Sequence, residues 1–227
     1  MRRGAPVATC LSEHEIARLL EDYQVVLPPP PLTQLACYLD LLLRWNRRVN
    51  LTGYRDPRQI VRRLFGESLY LTRVVDLRGW LVDVGSGAGF PGLALKLAAP
   101  GLRVTLIESR RKKGAFLKEV VRSCSFSYVD VVVDRFESWG RRLVTAEKPT
   151  LITTRAVKVE GRFLDLMRAV LPEQGKGAFL TTAARAAEIR KSSSGWDWSA
   201  EFPIPQRADG IVLVGSKIST LAVSDIE

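Results

Sequence analysis

A chain of 227 residues with 46% hydrophobic content is long for one minimal domain and short for two full ones, so one α/β domain with a helical extension is expected. Lys and Arg number 34 against 24 Asp and Glu, and the net charge of +10 points to a polyanionic partner. No apolar run reaches membrane-spanning length, no signal-type stretch follows Met1 to Gly4, and three scattered cysteines with a single histidine support neither a disulfide framework nor a zinc site. These features predict a soluble, cytoplasmic protein without a metal, monomeric because no exposed heptad or long apolar edge stands out.

Along the chain, Leu11 to Val26 carries Leu11, Ile16, Leu19 and Leu20 as the apolar positions of an amphipathic helix with Ser12 as its N-cap. Pro28 to Pro31 break that helix, and a second is expected from Thr33 to Trp45 on the stripe Leu35, Leu39, Leu42 and Leu43. Asn46 to Tyr54 reads as a loop, and Asp56-Pro57 starts a third helix that leads to Val74. From Trp80 the rhythm changes. Strands at Trp80–Val84, Val104–Ile107, Tyr128–Val133, Leu151–Thr154 and Ala178–Thr182 alternate with helices at Gly92–Leu97, Lys112–Arg122, Gly161–Leu171 and Ala183–Lys191. Two late apolar segments, near Trp198–Ile204 and Ile211–Val214, close the chain. The division expected is a helical extension over 1–75 and a Rossmann-like domain over 76–227. Its parallel sheet carries helices on both faces and its ligand at the carboxyl ends of the strands.

The stretch Leu81 to Gly92 reads LVDVGSGAGFPG. A dinucleotide fingerprint fits Gly87, Gly89 and Gly92 on paper, but it starts two residues after the strand ends. Counted from the strand end, the spacing is Gly85, Gly87, Gly89, with Ser86 between the first two and Asp83 ahead of them. The Asp83 carboxylate favours a cationic group, directly or through water, and repels a diphosphate. S-adenosylmethionine, a sulfonium, meets that requirement where a nicotinamide dinucleotide does not. Glu108-Ser109 ends the next strand about twenty residues on, where a ribose-binding carboxylate is expected. The same residues suit the cap of the following helix, and the two roles are compatible. Taken alone, the glycine turn also reads as a tight connection.

The glycine turn, Asp83 to Gly92 including Phe90-Pro91-Gly92, does not stand alone. Trp45-Asn46 with Asn50-Leu51-Thr52, Arg55-Asp56-Pro57, Glu67-Ser68, Glu108-Ser109 with Lys112-Lys113 and Phe116-Leu117, Arg135 to Glu137, and Thr154-Arg155-Ala156 accompany it. Together, over roughly Leu39 to Val214, they resemble the ribosomal small-subunit methyltransferase G family. The resemblance implies a class I methyltransferase fold, S-adenosylmethionine as cofactor, and methylation of N7 of a guanine in the 530 loop of 16S rRNA, guanine 527 in the family. The partner implied is 16S rRNA in the small subunit or an assembly intermediate. Gly85, Phe90, Phe136, Glu137 and Arg155 are then cofactor residues, with Glu108 at the ribose. Asp83, Ser86, Gly87, Gly89, Ser109 and Arg135 complete the expected site.

Guanine N7 has an exposed lone pair and no proton to lose, so methyl transfer to it needs alignment and charge placement but no general base. His14, in the first helix, is expected to be structural or solvated. Cys124 lies at a helix end rather than after a strand, which disfavours a cytosine-C5 nucleophile. Thr153-Thr154-Arg155-Ala156 stands where exocyclic-amine methyltransferases place an Asp/Asn-Pro-Pro-aromatic segment. Arg155 is the one candidate for the reaction itself, through the cofactor carboxylate or an RNA phosphate, and otherwise reads as a strand-end surface arginine. Phe90 and Phe136 read either as cofactor contacts or as core. Three positions depart from the family: Leu64 replaces a common histidine, Thr182 stands near a common lysine, and Asp209-Gly210 starts the last strand with Arg207 displaced. A methyltransferase acting on another RNA or a small molecule, and a nicotinamide-dependent oxidoreductase, are the alternative functions.

Overall fold

A computed structural model describes residues 11–143, 147–155, 157–192 and 194–218. Helix α1 spans Glu13–Glu21 and begins in a capping box, with Glu15 N–H donating to Ser12 Oγ and Ser12 N–H to Glu15 Oε2. Helix α2 spans Pro29–Asn46, so the prolines expected only to end the first helix also open the second, four residues ahead of the expected start at Thr33. In a first turn their missing N–H groups have no helical acceptor to lose and their fixed φ is already helical. Asp56 caps a third helical run, donated to by Arg58 N–H at 3.1 Å. That run changes pitch three times: α3 over Pro57–Ile60, a π-helical segment over Val61–Gly66, α4 over Glu67–Leu69 and a 3-10 turn over Tyr70–Arg73. At Gly66 the missing side chain lets the Tyr23 ring lie against the backbone.

Seven strands form one sheet: β1 Trp80–Val84, β2 Arg103–Ile107, β3 Val129–Val132, β4 Leu151–Arg155, β5 Lys176–Thr182, β6 Trp196–Pro203 and β7 Gly210–Lys217. Their order is β3-β2-β1-β4-β5-β7-β6. The first five run parallel, whereas β7 is antiparallel to both β5 and β6, which corrects the expectation of a wholly parallel sheet. Helices α5 (Gly92–Ala98), α6 (Arg111–Ser123), α8 (Gly161–Val170) and α9 (Ala183–Ser192) fall where expected, and α7 (Phe136–Arg142) was not anticipated.

Both faces of the sheet are covered because its strands alternate between two cores. Leu81, Val104, Leu106, Leu151, Ala178 and Leu180 enter one cluster, and Trp80, Val82, Ile107, Ile152 and Phe179 the other. Helices α1 and α2 join the first cluster together with α5 and α6, so the extension and the sheet share one core. Strand order reverses between β1 and β4, and the crevice at the carboxyl ends of these two strands is where an open α/β sheet holds its ligand.

Candidate functional site

The turn after β1 is held open by backbone bonds. Gly85 N–H and Ser86 N–H both donate to Ile107 O, at 2.9 and 3.1 Å, and Ser86 Oγ donates to Asp83 O at 2.9 Å. Gly85, Gly87 and Gly89 take φ of 69°, 59° and 97°, a region that side chains disfavour. At Gly87 a β-carbon would find nothing closer than Gly85 O at 3.7 Å, so the turn is bare there on the ligand side.

Asp83 is fully buried, and both carboxylate oxygens are taken by the protein. Gly92 N–H donates to Oδ2 and Thr153 Oγ1–H to Oδ1, each at 3.1 Å, so this side chain ties the turn to α5 and β4. Burial raises its pKa to about 6 despite those donors. Complete burial, more than its two bonds, corrects the expectation of a direct contact between Asp83 and a cationic ligand: the carboxylate shapes the turn from behind. Gly89 is likewise packed against Tyr38 and Leu93.

Glu108 follows β2 and stands beside the glycine turn. Gly87 N–H donates to its Oε2 at 2.9 Å and Arg110 N–H to its Oε1 at 2.8 Å, which leaves each oxygen a further lone pair for a ribose hydroxyl. Gly85, Ser86, Gly87, Phe90 and Glu108 line a cavity of about 340 Å³, with Lys113, Leu64, Val157 and Arg155 around them. Phe90 also belongs to the core, stacked on Tyr38 and edge-on to Phe65. Ser109 is exposed next to Glu108. Arg135 and Glu137 are exposed at the start of α7, and the Phe136 ring packs on Trp139 and Phe163 in the second core. The expectation of a Phe136 ring against the cofactor is thereby corrected, because α7 turns it under the sheet. Asp134 pairs with Arg142. His14 is exposed, as expected.

A second, larger cavity of about 970 Å³ opens over the ends of β4 and β5. Five arginines, Arg62, Arg63, Arg155, Arg185 and Arg207, line it against the three carboxylates Glu67, Glu188 and Asp209. Arg155 and Val157 wall both cavities. Glu67 is 1% exposed and accepts from Arg155 Nη2 at 2.9 Å and Arg207 Nη1 at 3.0 Å, with Arg63 Nη1 at 3.5 Å. Arg155 Nη2 also donates to Arg63 O at 2.7 Å. Its Nη1 is buried without an acceptor. Burial lowers the Arg155 pKa, and Glu67 opposes that shift. The displaced Arg207 thus reaches the site from the turn before β7, and Arg185 brings a cation to the cavity beyond Thr182. In the sequence Glu67 stands out only through the Glu67-Ser68 pair. The signal for its role was a lone acid after two arginines.

The smaller cavity fits S-adenosylmethionine on three observations: a bare glycine face at Gly87, a carboxylate with spare lone pairs at Glu108, and an orphaned buried donor on Arg155. Among the described residues no cluster of His, Cys, Asp and Glu could hold a metal ion.

Comparison with solved structures shows the fold. A ribosomal protein L11 methylase from Lactobacillus delbrueckii subsp. bulgaricus superposes with a TM-score of 0.54 at 15% identity, over 70% of this chain and 80% of that one. A mutant of MtNAS in complex with S-adenosylmethionine gives 0.55 at 12% identity, over 91% and 79%. Among curated proteins, ribosomal RNA small subunit methyltransferase G of Xylella fastidiosa (strain 9a5c) is 38% identical over 170 residues, 75% of this chain and 78% of the relative. The protein of the same name from Chloroflexus aggregans is 44% identical over 130 residues, 55% of this chain and about half, 52%, of that relative. The family described as rRNA small subunit methyltransferase G matches residues 32–204. With a class I methyltransferase sheet, a glycine-lined cavity and this match, the chain belongs to the rRNA small subunit methyltransferase G family, S-adenosylmethionine-dependent enzymes of ribosomal RNA.

Proposed function

We propose that this protein transfers a methyl group from S-adenosylmethionine to N7 of a guanine in the 530 loop of 16S rRNA, guanine 527 in the family. The observation that carries the reading is the pair of adjoining cavities, one lined by glycine and Glu108, the other by arginine, with Arg155 and Val157 common to both. S-adenosylmethionine supplies the electrophilic methyl group when bound. Gly85 to Gly87 and Glu108 hold the donor's nucleoside end, and Ser109 and Arg135 to Glu137, which open α7 after β3, complete its surroundings. The arginine-lined cavity receives the anionic substrate. Phosphate contacts by arginine position an RNA without reading its bases. Since N7 carries no proton, no residue of the chain needs to act as a base; alignment and exclusion of water are the residues' contribution.

The substrate is the small ribosomal subunit or an assembly intermediate, the enzyme acts as a monomer in the cytoplasm, and a helical extension over 1–75 and a Rossmann-like part over 76–227, which share one core, make up the chain. No helix among the described residues is long and apolar enough to cross a membrane. The test compares 16S rRNA from cells with and without this gene by chemical cleavage at 7-methylguanosine. Cleavage in the 530 loop only where the gene is present is expected. An identical 530 loop in both would remove the proposal.

A further inference from the structure

Glu67 lies apart from the glycine turn, and its carboxylate is among the most buried charges in the chain, 1% exposed. It arrives from the third helical run just after the π-helical segment. Two arginines meet its Oε2, Arg155 from the end of β4 and Arg207 from the turn before β7, and Arg63 approaches Oε1. Asp209 pairs with Arg207 at 3.4 Å, so two carboxylates face three guanidinium groups and one positive charge is left over at the wall of the larger cavity. The guanidinium of Arg155, whose side chain is 14% exposed, is divided. Its Nη2 is committed to Glu67 Oε2 and Arg63 O, while Nη1 is buried without a protein acceptor, in a residue that lines both cavities. A planar fork fixed at one prong presents the other in a set direction.

We propose that Glu67 is a positioning residue: it fixes the Arg155 fork so that Nη1 donates to an oxygen acceptor of the bound ligands, either the carboxylate of the methyl donor or an oxygen of the target nucleotide. The inference rests on the methyltransferase reading above. Lysine at 155 keeps the charge but has one ammonium, which Glu67 captures. A purely structural ion pair would tolerate that exchange, and a positioned fork does not.

The experiment measures donor affinity by calorimetry with S-adenosylhomocysteine, and kcat and KM on small-subunit RNA, for the wild type and for Arg155→Lys, Arg155→Ala, Glu67→Gln and the double variant Glu67→Gln/Arg155→Ala. Loss of one charge-assisted hydrogen bond predicts that Arg155→Lys and Glu67→Gln each lose about 10- to 100-fold. The loss appears in donor affinity if the acceptor is the cofactor's carboxylate, and in the RNA parameters if it belongs to the nucleotide. The double variant is expected to be no worse than Arg155→Ala, because the two residues act as a unit. Wild-type parameters for Arg155→Lys, or fully multiplicative losses in the double variant, would overturn the proposal. If Glu67→Gln does not fold, Arg155→Lys decides alone. If the wild type methylates no rRNA, the substrate reading fails, and unchanged donor affinity in Arg155→Lys would then overturn the positioning role as well.

Discussion

Asp83 is a carboxylate at the end of a strand, in the place where a sequence reading looks for a ligand contact, yet the protein takes up both of its oxygens. Gly92 N–H and Thr153 Oγ1–H are its partners. Its folded-state pKa of about 6 lies above the ordinary 3.8 through burial, so the native state holds the proton more tightly than the unfolded chain. The resulting contribution to stability is full below about pH 4 and is lost as pH rises through about 6. Melting temperature followed across this window should fall in the wild type and stay flatter in Asp83→Asn, which can accept from Gly92 and donate to Thr153. An equal fall in both would mean that another group titrates. Asp83→Ala leaves two buried donors unmet and should cost about 2 to 6 kcal/mol at about 1 to 3 each. Gly85, Gly87 and Glu108 were legible because the turn and the next strand end are close in sequence. The Glu67–Arg207 contact was not, since it joins residues 140 positions apart.

At the level of elements, α2 is connected to the glycine turn through Tyr38, whose buried hydroxyl donates to Ala88 O and whose ring stacks on Phe90. Tyr38→Phe keeps the stack and removes the donor. Urea denaturation should show a loss of about 1 to 3 kcal/mol, the cost of leaving a buried carbonyl without its partner, and calorimetry a weaker affinity for S-adenosylhomocysteine. Unchanged stability would show that the bond has little net worth. Most helices and all of β1 to β5 could be read from periodicity. What could not be read has physical reasons. A π-helical segment adds a residue to a helical turn without changing which residue types suit it, so Val61–Gly66 looks like ordinary helix. Apolar alternation carries no strand direction, and the reversal of β7 left no trace in Ile211 to Val214. Prolines mark both the end of one helix and the start of the next, and α2 begins on Pro29 rather than at the expected Thr33.

Over the whole molecule, the excess of ten positive charges was visible in composition alone, but the gathering of five arginines around the cavity above β4 and β5 needed the fold. RNA binding should therefore depend steeply on salt. For about six neutralised phosphates, affinity falls about a thousandfold between about 50 and 200 mM salt, while affinity for S-adenosylhomocysteine changes little. Filter binding and calorimetry across that range would check this, and parallel salt slopes for the two ligands would count against a phosphate-contacting cavity. The wall shared by the two cavities, Arg155 with Val157, has a further consequence. Two ligands that contact the same side chains are thermodynamically linked. Whatever factor bound RNA applies to the donor's dissociation constant, bound donor must apply to that of the RNA. The same reciprocity holds for the products, so the demethylated donor and the modified RNA bias each other's departure by an equal factor.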